Sequence, residues 1–472
     1  AILARAELRP KGSKAPPPSP RPRSRALRGR SSGAVPRSRA GKRRTIVGSM
    51  PILGFGIVGF LRATAWSAWE AFLRGLRRVR VLPALPAGGE SATPASGGAS
   101  RCPFAEIVKA TAPVVAPKVR DIVDDFYPRM FRNNPEAKAF FNPANQFADP
   151  PLQRLALANA VVAYATNIED LSKLTGAVEL IAHKHCGLGV EPQHYDIVHK
   201  NLMQAIAHIL GDAVTPEIGG GWSEAVLSLA KVLYDTESKL YEEAEKRPGG
   251  WRGVKDFRVA GTRSVAQGCV ELTFKPVDGE GPIAFTPGQF LTLHLRTEGA
   301  TPRHYTVTNA PGKDFLQCCP KKIPGGLVSG ALHALKEGDV VGLAPPFGVF
   351  KLSGQPAVLC SAGIGATPMK CFLNSSPDLI RFILHVDKDE ATHPFKREME
   401  ASGAGTHFVY TRASGRPKGT ALVEDVLKPY LADCDFFLCG PSAFLSDMAE
   451  ALKAAGAKSV NVDVFGPALA TA

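Results

Sequence analysis

The spacing of apolar residues along this 472-residue chain changes twice, and no single layer of secondary structure can satisfy all three patterns. From Cys102 to about Lys246, apolar residues recur every three or four positions, as in 152-LQRLALANAVVAYATNIEDL-171 and 222-WSEAVLSLAKVLYDTESKLYEEAEK-246. That is the period of amphipathic helices. Pro143, Pro150, Gly187 and Gly219–Gly221 punctuate the segment ends. Beyond 248-PGGW-251 come short alternating runs between Pro/Gly turns, such as 256-DFRVAGTRSVAQGCVELTFKP-276 and 290-FLTLHLR-296. These predict an antiparallel β-barrel. From Gln355 onward, apolar runs (357-AVLCSAG-363, 380-IRFILHV-386, 406-THFVYT-411, 435-DFFLCG-440) alternate with helical stretches, which predicts an α/β block with a parallel sheet. The chain is therefore multidomain: an all-α block over 101–247, a barrel over 248–354 and an α/β block over 355–472.

Charge separates these blocks from what precedes them. Residues 1–100 hold 19 Lys and Arg against Glu7, Glu70 and Glu90, a net of +16, while the whole chain is +14. The remainder is thus slightly acidic, and nucleic-acid binding by the folded body has no electrostatic support. Residues 1–49 are rich in Arg, Ser, Pro and Ala, a composition that cannot bury a core and resembles an organelle transit peptide. A mitochondrial or other organellar location is the expectation, with the cytoplasm as the alternative. The other interpretation is that Ala1 is not a natural N-terminus, since the first methionine is Met50. The stretch 51-PILGFGIVGFLRATAWSAWEAFLRGLRRVR-80 is interrupted by Arg62 and Glu70, so an amphipathic presequence or a helix touching a membrane surface fits it better than a spanning helix. Residues 83–100 have linker composition, so 1–100 is expected to be a basic, targeting-like, disordered segment plus linker. Nine cysteines with no C-x-x-C pair argue against a zinc site or disulfide framework and for a reducing compartment.

Three histidines crowd 181-IAHKHCGLGVEPQHYDIV-198. His185 shares the apolar face of Val178, Ile181 and Ala182, whereas His183, two residues away, is expected to face water. His194, His199 and His208 lack that context. An inward histidine of this kind is either a hydrogen-bonded core residue or a metal ligand.

The runs 126-FYPRMFRNNPEAKAFFNPANQ-146, Gln153 with Leu157, and 178-VELIAHKHCGLGVEPQHYDIVHKNL-202 resemble the globin domain of flavohaemoglobins. That resemblance implies haem b with His185 as its proximal metal ligand. It places Tyr195 and Glu237 in a relay behind the iron, where an anionic acceptor for the imidazole N–H makes the ligand more electron-donating. Lys184 matches a family position beside the ligand. Tyr127, Gln153 and Leu157 are implied on the distal side, with Phe141 wedged against the haem; a hydroxyl and an amide there would stabilise bound O2. The alternatives are ordinary ones: Tyr127 as core, Tyr195 as a helix-start aromatic, Glu237 as a solvated charge and Lys184 as a surface lysine. Between Phe141 and Gln153 the chain is about two residues longer than the family pattern, in 145-NQFADPP-151.

The later blocks resemble ferredoxin-reductase-like flavoproteins. In 303-RHYT-306, Arg303 would pair with the FAD pyrophosphate, Tyr305 would pack on the isoalloxazine, and Thr306 would bond near its reactive nitrogen, with His304 between them. The flanking 287-PGQF-290 and 325-GGLVSGALH-333 bring in Phe290, where the family usually has Tyr, and Gly325, Gly326, Val328 and Ser329. For the nicotinamide coenzyme, 361-SAGIGATP-368 supplies Gly363, Ile364, Gly365, Ala366, Thr367 and Pro368. The loop 438-LCGPSAF-444 supplies Cys439, Gly440 and Pro441; by its own chemistry Cys439 could equally be a buried small hydrophobe. The terminal 463-DVFGP-467 supplies Asp463, where Glu is usual, with Val464, Phe465, Gly466 and Pro467, and Phe465 would cover the flavin. The stretch after the nucleotide loop, 369-MKCFLNSSPDLIRF-382, is compressed, which predicts a short first helix.

Carrier logic links the blocks. Haem takes electrons singly, a reduced nicotinamide gives two as hydride, and a flavin converts one into the other. The resemblance implies an NAD(P)H-dependent nitric oxide dioxygenase that converts NO and O2 to nitrate. It would act as a monomer, with no partner protein. One alternative is a haem/flavin reductase whose globin senses or stores O2 or NO. The other, from a different class, is a binding protein with a dead haem site.

Overall fold

A computed structural model of the chain describes residues 103–147, 151–279 and 281–466. The basic segment, the 51–80 stretch, the linker, Pro150 and Pro467 lie outside these. Among the described residues no helix is long and apolar enough to cross a membrane.

The first body is helical: α1 (Pro103–Val115), α2 (Val119–Asn133), α3 (Leu152–Thr166), α4 (Thr175–Leu188), α5 (Pro192–Leu210) and α6 (Pro216–Lys246), with shorter turns between. Its core joins Phe126, Tyr127 and Met130 of α2 to Leu202, Ala205 and Ile206 of α5 and Trp222 and Ala225 of α6. A fully buried side chain such as Phe126 contributes about 2–3 kcal/mol by leaving water. Local chemistry sets the ends. Thr215 caps α6, accepting from the Ile218 N–H at 3.3 Å, and Pro216 occupies the first helical position. Gly189, at φ 76°, ends α4; there the Val190 N–H returns to the His185 carbonyl at 3.1 Å.

The 31-residue helix α6 runs almost directly into the next body. A Cβ at Gly250 would lie 2.1 Å from the Ala244 carbonyl oxygen, and one at Gly249 would lie 2.6 Å from that of Pro282. Trp251 follows, buried, its Nε1–H donating to the Leu343 carbonyl at 3.0 Å. The six-stranded antiparallel sheet then runs in the order β4-β3-β6-β1-β2-β5. Its strands are β1 (Lys255–Ala266), β2 (Cys269–Pro276), β3 (Phe290–His294), β4 (Arg303–Thr306), β5 (Leu316–Cys318) and β6 (Val340–Phe347), and α7 (Leu327–Ala334) packs beside it. Leu291 and Leu293 of β3 point into its core, as the alternating pattern requires.

The third body is a parallel sheet in the order β11-β10-β7-β8-β9. Here β7 is Ala357–Ala362, β8 Ile380–Asp387, β9 Gly405–Tyr410, β10 Asp435–Cys439 and β11 Ser459–Asp463. The α8 helix (Ala366–Ser375) is short, as expected. Strand order reverses between β7 and β10, so the turns leaving their carboxyl ends flank the place where such sheets bind ligands. Those turns touch: a Cβ at Gly365 would sit 2.2 Å from the Cys439 carbonyl oxygen. Gly365→Ala must push two strand ends apart, and thermal or urea unfolding of the variant is expected to show a loss of about 2–3 kcal/mol.

Candidate functional site

On α4 successive side chains diverge by about 100°, and three neighbours reach three different bodies. His185 turns into the helical bundle. Its Nδ1–H donates to Glu237 Oε1 at 2.8 Å and lies 3.0 Å from the Tyr195 hydroxyl, which itself donates to Glu237 Oε1 at 2.5 Å. Glu237 is 2% exposed, so it is not the solvated helix charge that its acidic neighbours suggest. Burial and the Glu237 charge push the Tyr195 phenol far above its ordinary pKa. With Nδ1 so engaged, the orientation of the ring is fixed with Nε2 on its far side, and a third of the side chain stays exposed.

His183 does not face water, which corrects the periodicity argument. Its Nδ1 accepts from the Gly348 N–H at 3.1 Å, on the loop after β6. Burial, with Arg247 and Lys351 nearby, depresses its pKa to about 4. The barrel covers that face of the helix.

Lys184 reaches the third body, donating from Nζ to the Gly466 carbonyl at 2.8 Å. Burial lowers its ammonium pKa, with the Asp463 charge pulling the other way.

Within the same helical body, Tyr127 is buried on α2, its ring edge-on to Phe141 at 5.6 Å. Leu157 and Val161 of α3 pack on the same cluster while staying partly exposed, and Gln153 is half-buried in the first turn of that helix. The amide lying against the Tyr127 phenol belongs to Gln146. Gln146 is 1% exposed, and neither Nε2 nor Oε1 reaches hydrogen-bond geometry with a partner among the described residues. Such a group is costly unless a ligand uses it. The one sequence signal is the lengthened stretch 145-NQFADPP-151, in which Gln146 lies but which does not single it out. An apolar, partly open wall, an oriented imidazole and a buried amide with no hydrogen-bond partner among the described residues fit a haem carrying a small polar ligand.

A cleft of about 620 Å3 lies where the three bodies meet. It gathers Phe290, Arg303, His304, Tyr305 and Thr306 from β3 and β4, and Gly325, Gly326, Val328 and Ser329 around the start of α7. Ile364 and Thr367 come from the nucleotide turn, and Asp463, Val464, Phe465, Gly466 and Lys184 complete the wall. Cys319, Lys321 and Asn142, which sequence reasoning missed, also line it. Arg303 bridges bodies: Nη2 donates to Asn142 Oδ1 at 2.7 Å and Nη1 to the Thr301 and Pro302 carbonyls at 2.9 Å each. Gly325, at φ 70°, turns the chain into α7, whereas the Ser329 hydroxyl faces that turn, accepting from the Ile323 N–H at 3.1 Å. Gly363, Gly365, Ala366, Pro368, Cys439, Gly440 and Pro441 do not line the cleft. Ala366, Pro368 and Cys439 are buried, and burial raises the Cys439 thiol pKa, so its side chain packs as a small hydrophobe. Gly363, at φ 54°, and Gly440 shape the turns. The cleft's aromatic walls, its Arg303 and Lys321 cations and its glycine turns suit a flavin dinucleotide.

Burial pushes the Asp463 carboxyl up to about 6, against the pull of Lys184. The folded chain therefore holds this proton more tightly than the unfolded one. The group favours folding below its ordinary value of 3.8, and that contribution is lost as pH rises through about 6. Thermal melts across this window should show the slope, and Asp463→Asn should lack it.

Two family models match the chain, the globin model over residues 124–233 and the oxidoreductase FAD-binding domain over 256–352. The flavohemoprotein of Bacillus subtilis is 35% identical over 393 residues, covering 78% of this chain and 98% of that protein. Flavohemoprotein A of Dictyostelium discoideum is 34% identical over 388 residues, covering 76% and 97%. The crystal structure of the flavohemoglobin from Malassezia yamatoensis, with bound FAD and heme, superposes with a TM-score of 0.68 at 26% identity, over 78% of this chain and 99% of that one. The succession of a helical globin body, an antiparallel sheet and a parallel sheet matches the flavohemoglobin structure, and the chain belongs to the flavohemoprotein family.

Proposed function

We propose that this oxidoreductase is an NAD(P)H-dependent nitric oxide dioxygenase. Bound haem supplies the iron at which O2 and NO combine to nitrate, and FAD converts hydride from NAD(P)H into single electrons for it. His185 holds the iron. The observation that carries the proposal is the buried Glu237 carboxylate 2.8 Å from His185 Nδ1. A carboxyl acceptor at this distance makes the imidazole a stronger donor, which suits activation of a ligand rather than its storage. Tyr127 and Gln146 face the small ligand. Arg303 and the Gly325–Gly326 turn would hold the pyrophosphate, Tyr305 would pack on the flavin, and Phe465, 45% exposed at the rim of the cleft, would cover it. Lys184 stands in the flavin cleft one residue from His185, so both cofactors are served by one turn of helix.

The decisive measurement is NO consumption by the loaded protein with NADH or NADPH and O2. Loss of NO over many turnovers, with matching nitrate, is expected. If NO loss stops after one equivalent while NAD(P)H still reduces the haem, the globin is a sensor or store. Distal roles are separable. Gln146→Leu and Tyr127→Phe are each expected to speed O2 dissociation by about 3–10-fold, the worth of one hydrogen bond. Gln146→Leu should also leave the ligand-free protein about as stable as wild type, because its buried amide meets no partner at hydrogen-bond geometry among the described residues.

A further inference from the structure

The helix that carries His185 rests directly on the sheet that forms the flavin cleft, and the contact is made at Gly187. This residue is buried in the last turn of α4, two positions beyond the proximal histidine. A Cβ there would lie 2.6 Å from Thr292 Oγ1, 3.1 Å from His304 Cε1 and 3.1 Å from Phe290 Cε2. All three belong to β3 and β4, the strands that also present Arg303 and Tyr305 to the cleft. The wall has no room to retreat. Thr292 is fully buried and sits mid-sheet, paired with His304 on one side and Ala344 on the other. Its Oγ1 is hydrogen-bonded to His304 Nδ1 at 2.8 Å, and the His304 ring lies 4.4 Å from that of Phe290. On the flanks, Cys186 joins Phe347 and Tyr241 in a small core cluster, and the Gly348 N–H holds His183. Gly187 has ordinary helical backbone, so no left-handed conformation demands a glycine there; only the close approach does.

We propose that Gly187 is a positioning residue that sets the separation between the haem-ligand helix and the flavin-facing strands, and that Thr292, locked to His304, is the surface against which this separation is gauged. The proposal rests on the reading that electrons pass from flavin to haem within the chain. A methyl at position 187 must either lift α4 off the strands or break the Thr292–His304 hydrogen bond. Because that bond and the sheet pairing hold Thr292 in place, the helix is what gives way, and lifting it changes the relative placement of the two cofactors while leaving the groups that hold each of them in place.

The test uses the full chain loaded with haem and FAD as wild type, Gly187→Ala, Thr292→Ala and the double variant. Flavin emission, compared with the same protein lacking haem, reports cofactor separation without turnover. Stopped-flow haem reduction after mixing with NADH or NADPH reports the transfer, and ferricyanide reduction reports the flavin site alone. Gly187→Ala is expected to recover part of the quenched flavin emission and to slow haem reduction about tenfold, within the range a displacement of about 1 Å can cost. Its Soret band, FAD content and ferricyanide reduction should stay unchanged. Thr292→Ala removes the closest obstacle, so the double variant should return both quantities toward wild type. Unchanged emission and haem reduction in Gly187→Ala would overturn the proposal, as would a double variant no better than the single. Wild-type haem that no nicotinamide reduces would instead defeat the electron-transfer reading, and the emission comparison would still decide the spacing.

Discussion

The molecule depends on one constraint, that a helix turns about 100° per residue. His183, Lys184 and His185 are consecutive, yet they bond to Gly348 beside the barrel, to Gly466 at the end of the parallel-sheet body and to Glu237 in the helical bundle. One turn of α4 is therefore where all three bodies are indexed to one another. The His185 ring cannot rotate without giving up its bond to a buried carboxylate, which would leave the Tyr195 hydroxyl to satisfy Glu237 without it.

Most of the architecture was legible because each body has its own hydrophobic period. The four apolar runs beyond Gln355 became β7, β8, β9 and β10, and the compressed stretch after the nucleotide turn became a ten-residue helix. Residues tied to a motif, such as Arg303, Tyr305 and Phe465, were also found together. Positions whose role depends on what covers them were not legible. Period assigned His183 to the face away from the helical core, which is correct, but it carries no information about the barrel that lies against that face. Glu237 sits among Asp235, Glu242 and Glu243, and only packing distinguishes the buried acid from the wet ones. Gln146 was hidden because a glutamine in a lengthened connection has no period at all.

The chemistry of the cleft follows from mixed ownership. Arg303, on the sheet, is held by Asn142 from the helical body, and the carboxyl of Asp463, at the end of β11, is pushed up to about 6 by burial against the pull of Lys184 from the helical body. Groups that would contact a flavin are thus oriented by side chains from outside the body that binds it. A reductase portion excised from such a chain keeps its glycine turns but loses part of the support for its cations.

The long helix α6 has a further consequence. It carries Glu237 midway and ends against Gly249 and Gly250, whose backbone is so tightly packed that neither tolerates a side chain. With no slack tether between bundle and barrel, the joint behaves as a weld. Breathing of the two halves must unwind the final turn of α6 rather than swing about a loop, so a fluctuation at the weld is transmitted along a stiff rod to the carboxylate that holds the His185 ring.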